Sequence, residues 1–143
     1  YVFFDLVMAG IGVCTPQQVA LSVLTTVLGH QTERGWVIVD AGWMAMSRDR
    51  GTQTQRRDQG YGLVCNAQGV VLDDWIMVSA NQEHGILARR DASVPTDIET
   101  RFALGTQLRI LPNHACATAA QFPEYQALME DGTVQVWPRF YGW

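Results

Sequence analysis

From Val19 to Leu28 two sets of residues alternate: Val19, Leu21, Val23, Thr25 and Val27 against Ala20, Ser22, Leu24, Thr26 and Leu28, with Gly29 closing the run. A period of two carrying this many β-branched side chains predicts a long strand. Just upstream, Thr15-Pro16-Gln17-Gln18 has the form of a helix start, with a capping hydroxyl, Pro at the first helical position and Gln at the third, so a single turn fits there before the strand. After a polar turn over His30 to Gly35, Trp36-Val37-Ile38-Val39-Asp40 is almost wholly apolar, the pattern of a strand covered on both faces. Met44 to Gln59 is polar and rich in Arg, Asp, Gln and Gly, which predicts a long loop of the kind that often carries function. Further strands are predicted at Tyr61 to Cys65, Val70 to Leu72, Trp75 to Ala80, His84 to Ala88, Gln107 to Leu111 and Thr133 to Trp137, with Gly or Asp-Gly punctuation between them. Ala117 to Met129 has the composition of a helix, which Pro123 limits to short pieces. The pattern is that of a mainly β chain with short helices.

Composition narrows the class. With 143 residues, 48% hydrophobic and 17% charged, residues 1–143 are expected to form one compact domain. The apolar stretches break well before the roughly 18 residues that a bilayer crossing needs. A net charge of −4 supplies no basic footprint, so neither nucleic acid nor a membrane surface is expected as a partner. Three cysteines at irregular spacing, with no secretory signal, point to reduced thiols in the cytoplasm. The chain opens on Tyr-Val-Phe-Phe-Asp, without an initiator Met, a basic segment or a cleavage site, as expected of a cut inside a longer protein. All ten basic residues are Arg. Without a lysine ε-amine this polypeptide cannot itself form a Schiff base with an aldehyde cofactor or a carbonyl substrate.

Several residue groups could carry chemistry. Pro112-Asn113-His114-Ala115-Cys116 follows the apolar run Leu108 to Leu111, so in an extended segment His114 and Cys116 would project to the same side. An imidazole nitrogen with a thiolate suits zinc or a similar divalent ion and leaves coordination positions open. The same spacing also fits a buried thiol beside a hydrogen-bonded histidine. Gln82-Glu83-His84-Gly85 stands at a strand junction, where Glu83 and His84 fit either an acid/base pair or the polar tip of a hairpin. Asp40 ends a strand and fits a structural cap. Arg48, Arg50, Arg56 and Arg57 fit an anion grip, a solvated loop or an interface.

Taken together, Tyr1-Val2-Phe3-Phe4-Asp5-Leu6, Val39-Asp40-Ala41-Gly42, Ser47-Arg48-Asp49-Arg50-Gly51, Asp58-Gln59-Gly60-Tyr61-Gly62, Gln82-Glu83-His84-Gly85 and Pro112-Asn113-His114-Ala115-Cys116 stand in the order seen in D-serine dehydratase-like enzymes. The resemblance covers nearly the whole chain and implies the alanine racemase type of fold. In that fold an N-terminal (β/α)₈ barrel, absent from this chain, holds pyridoxal phosphate on a lysine and precedes a β-rich, barrel- or sandwich-like C-terminal domain. The resemblance implies a homodimeric lyase that removes water and then ammonia from a β-hydroxy D-amino acid such as D-threo-3-hydroxyaspartate or D-serine. Its related alternative is retro-aldol cleavage, as in D-threonine or 3-hydroxyaspartate aldolases. It implies metal ligation by His114 and Cys116, with zinc favoured by the thiol over manganese, cobalt or magnesium. Glu83 and His84 fall near the metal site, and Tyr1 falls near the cofactor phosphate. Two other classes compete on the residues alone: a free-standing metal-assisted hydrolase that recruits Glu83 or His84 as a third ligand, and a non-catalytic structural or dimerisation module.

Overall fold

In the computed structural model, which describes residues 2–140, six strands close into an antiparallel barrel: β1 (Val23–Gln31), β2 (Trp36–Val39), β3 (Gly62–Asn66), β4 (Val71–Ala80), β5 (Gly85–Arg89) and β6 (Gln107–Pro112). Their spatial order is β1-β2-β5-β4-β3-β6, and β6 pairs back onto β1 from Val23 opposite Ile110 to Thr26 opposite Gln107. Closure removes the exposed edges that an open sheet would leave. Outside the barrel lie the short helices α1 (Leu6–Gly10), α2 (Trp43–Met46), α3 (Ile98–Arg101) and α4 (Ala115–Ala119), and a hairpin of β7 (Glu124–Leu128) with β8 (Val134–Pro138). No helix among the described residues is long and apolar enough to cross a membrane.

Strand alternation sorts the apolar residues into two layers. Val27, Val37, Val39, Val64, Met77, Leu87 and Ile110 fill the main core. Leu63, Cys65 and Leu111, which alternate with Val64 and Ile110, belong to a second cluster that Leu6 and Val19 complete. β3 is therefore buried on both faces, because the N-terminal segment lies over its outer side. Trp36–Val39 is not: only Val37 and Val39 are fully covered, while the outward Trp36 is half-buried beneath the guanidinium of Arg34. Phe102, at the end of α3, packs edge-on against Trp75 with ring centroids 4.6 Å apart.

The long first strand starts later and runs further than its alternation predicts. Pro16–Gln18 forms a single 3₁₀ turn, with the Gln18 side chain accepting from the Thr15 N–H, and Ala20 N–H donates to Phe3 O at 2.8 Å. That short stretch is thus tied to the N-terminal segment. Beyond Leu28 the strand continues past a bulge through His30 to Gln31, and the turn back to β2 is made by Thr32–Arg34 with Gly35 at φ 64°. Val70–Leu72 and Trp75–Ala80 join as one strand, β4. The helical composition of Ala117 to Met129 is used only up to Ala119. Glu124–Leu128 is instead a strand, because Pro123 ends helical hydrogen bonding and β8 offers a complete ladder. The Met44–Gln59 segment begins as α2 and then runs as turns.

Burial pushes the Cys65 thiol up to about 11, against a partial opposing pull from Arg109. Because the folded value lies above the unfolded one, the contribution to stability is complete below about pH 9 and is lost as the pH rises towards about 11. The expected loss is on the order of 2 kcal/mol, read as the difference in alkaline denaturation between the protein and its Cys65→Ala variant.

Candidate functional site

β6 ends at Pro112, and the buried Asn113 turns the chain into α4, for which His114 is the N-cap residue with φ −137° and ψ 104°. Cys116 sits in the first turn of that helix, not in an extended segment, so the two side chains do not share a face through strand geometry. Both are exposed, and both line one cavity of about 310 Å³, together with Phe4, Asp5, Asp49 and Gly51. The helix turn brings together what a strand would have placed by alternation.

Two carboxylates fix this corner. Asp5 caps α1 by accepting from Met8 N–H at 3.0 Å, and its other oxygen accepts from Ala115 N–H at 3.0 Å, between His114 and Cys116. Asp49 Oδ2 lies 2.9 Å from His114 Nδ1, while its Oδ1 accepts from Gly51 N–H at 2.7 Å. The loop that carries Asp49 is pinned from below. Asn113 Nδ2 donates to Asp49 O at 2.9 Å and to Gly60 O at 2.7 Å, and Asn113 Oδ1 accepts from the buried Thr52 hydroxyl at 3.0 Å. Thr52 Oγ1 in turn accepts from Gln59 N–H. Thr118 Oγ1 donates to Met46 O at 2.5 Å, which ties α4 to α2. Among the described residues, the two non-glycine positions with positive φ, Phe4 at 53° and Ser47 at 81°, both belong to this corner. Such backbone costs on the order of 1–3 kcal/mol each and persists where surrounding structure fixes it.

The other candidates fall elsewhere. Gln82, Glu83 and His84 form the exposed β4–β5 turn; Gln82 Nε2 donates to Glu83 Oε1, and none of the three lines the cavity of His114 and Cys116. The turn's work is done by backbone: Asn81 O and Gln82 O accept from Trp43 and Met44 N–H, close enough that a Cβ at Gly42 would strike both carbonyls. Asp40 accepts from Thr25 Oγ1 and Thr26 N–H, which is the structural cap. The arginines are largely engaged within the fold: Arg50 with Asp58 and over the Tyr61 ring, Arg57 with Asp73, Arg48 over Trp43. Tyr1 lies outside the described residues.

Among the described residues no group of three or more His, Cys, Asp or Glu is gathered into a ligand set. This chain can therefore offer a divalent ion two donors, His114 Nε2 and Cys116 Sγ. The donor chemistry fits: the nitrogen bonded to Asp49 is Nδ1, so Nε2 is left for a metal, and a thiol completes a nitrogen–sulfur pair suited to zinc. For pyridoxal phosphate the chain has no lysine and cannot supply the anchoring amine. Pattern reasoning from the sequence did not assign Asp5 or Asn113 a role. Both lie inside the motifs Tyr1–Leu6 and Pro112–Cys116, but their work is done by hydrogen bonds across 110 residues and 64 residues of chain, which spacing does not encode.

The barrel and this corner place the chain in a known structural class: it superposes on an alanine racemase-like protein from Idiomarina loihiensis with a TM-score of 0.91 at 52% identity, covering all of this chain and 37% of that one. A family model described as "Putative serine dehydratase domain" matches residues 20–128, and the chain belongs to that D-serine dehydratase-like family. It is 67% identical over 143 residues to the D-threo-3-hydroxyaspartate dehydratase of Delftia sp. strain HT23, and superposes on that enzyme's structure with a TM-score of 0.96. It is 33% identical over 136 residues to a D-serine dehydratase of Dictyostelium discoideum. The chain spans 38% and 33% of these two relatives' lengths. Solved structures of D-threo-3-hydroxyaspartate dehydratase, 66% identical to this chain, include a histidine-to-alanine mutant and, two positions further on, a cysteine-to-alanine mutant in a metal-free form.

Proposed function

We propose that this chain is the metal-binding, C-terminal β domain of a pyridoxal-phosphate-dependent dehydratase that removes water and then ammonia from a β-hydroxy D-amino acid such as D-threo-3-hydroxyaspartate or D-serine. The observation that carries this reading is the corner where His114 and Cys116 open into one cavity, with Asp49 on the imidazole's far nitrogen. His-x-Cys here has the same spacing as the two mutated positions of the solved D-threo-3-hydroxyaspartate dehydratase mutants. A bound divalent ion, with zinc best matched to the nitrogen and sulfur donors, supplies Lewis-acid assistance to a hydroxyl that is otherwise a poor leaving group.

His114 Nε2 and Cys116 Sγ would hold the ion as one nitrogen and one sulfur donor. Asp5 fixes the peptide between them, so that the imidazole and the thiol keep their separation. Pyridoxal phosphate is held by a lysine in a (β/α)₈ barrel segment of the same protein, and the working form is a homodimer in the cytoplasm, a compartment that suits the three free cysteines. The test is product analysis with the full-length protein. Incubation with D-threo-3-hydroxyaspartate or D-serine is expected to release ammonia and a 2-keto acid, and to stop on chelation and resume on adding zinc. Glycine and an aldehyde as products would assign the chemistry to retro-aldol cleavage instead.

A further inference from the structure

We propose that Asp49 is the positioning residue of the His114–Cys116 site: it fixes the imidazole so that Nε2, and not Nδ1, is presented to the ion. This rests on the metal-binding reading above. Asp49 Oδ2 stands 2.9 Å from His114 Nδ1. A carboxylate oxygen accepts, so Nδ1 is the donor and the lone pair lies on Nε2. The carboxylate cannot swing away, because Oδ1 is held by Gly51 N–H at 2.7 Å, the residue's own N–H donates to Ser47 Oγ, and its carbonyl accepts from Asn113.

Magnitudes separate orientation from stability. The side chains of His114 and Asp49 are 47% and 31% exposed. A pair that open to solvent contributes little to folding, too little to explain a loop anchored by the buried Asn113 and Thr52 and routed through Ser47 at positive φ. The same contact made to a metal-ligating histidine changes metal affinity by about 10–100-fold. The anchoring is therefore directed at the imidazole. Sequence position hides this, since Asp49 sits between two arginines and 65 residues from His114.

The experiment measures zinc affinity of the full-length protein by competition with a chromophoric chelator, and follows the thiolate-to-metal charge-transfer band after cobalt substitution. Asp49→Ala is expected to weaken zinc binding about 10–100-fold and to alter the cobalt spectrum, while the melting of the metal-free protein stays unchanged. Asp49→Asn, whose single oxygen can accept from His114 Nδ1–H only by giving up Gly51 N–H, is expected to recover part of the loss. Zinc affinity within about twofold of the parent in both variants, with Cys116→Ala still losing the metal, would overturn the positioning role and leave the metal site standing. If neither His114→Ala nor Cys116→Ala changes zinc affinity, the underlying reading fails and the proposal with it.

Discussion

His114→Ala in the full-length protein is expected to lower kcat/KM by at least about a thousandfold, which corresponds to about 4 kcal/mol of lost transition-state stabilisation. His114 offers the one nitrogen at this corner whose other ring position is already committed to Asp49. Removing the imidazole leaves the exposed Cys116 as a single protein donor, too few to hold an ion with open positions. Cys116→Ala is expected to cost as much, and the double variant no more than either single one, because two ligands of one ion act as a unit. Metal content measured on the same preparations should fall in step with the rate. Unchanged turnover in His114→Ala would support the structural or dimerisation module instead.

How much of this was legible in the sequence depends on the distance over which each signal acts. Gly and Asp-Gly punctuation located the strands over Trp75–Ala80 and Gln107–Leu111 because turn chemistry is local, and β3, buried on both faces, is a short apolar run. The same kind of run at Trp36–Val39 came from one buried face and one half-covered face, a distinction set by what packs outside the barrel. The mixed composition after Ala117 misled, since Glu124–Leu128 pairs with a partner that lies downstream of Gly132. At the site, His114 and Cys116 were visible as a pair of metal-competent side chains. Their helix-turn geometry and their support by Asp5, Asp49 and Asn113 were not, because each is a contact between segments that only closure of the barrel brings together. Glu83 and His84 lie on an exposed turn outside this cavity, where the preceding carbonyls of Asn81 and Gln82 hold the start of α2.

Asn113→Ala is expected to destabilise the protein by about 3 kcal/mol and to loosen the site from beneath. Asn113 is 2% exposed and its side chain makes three hydrogen bonds, so its loss leaves the Thr52 hydroxyl without its acceptor, and Asp49 O and Gly60 O without this donor, in a region from which water is largely excluded. An unsatisfied buried polar group costs about 1–3 kcal/mol, whereas making the bond in the first place gains about 1. Gly60 itself stands at φ +60°, where a Cβ would strike the Met77 carbonyl oxygen, so the backbone there is closely packed. The loop from Ser47 to Gln59 should then open locally at lower cost than the barrel. Trypsin reads this directly, since Arg56 and Arg57 are exposed on that loop and cleavage there should accelerate while barrel sites stay protected. Asn113→Asp sharpens the test, because it keeps an acceptor for Thr52 but removes the donor to Asp49 O and Gly60 O. If the two carbonyls carry the anchoring, the aspartate variant should be cleaved about as fast as the alanine one, and its zinc affinity should fall as Asp49 is released from beneath His114.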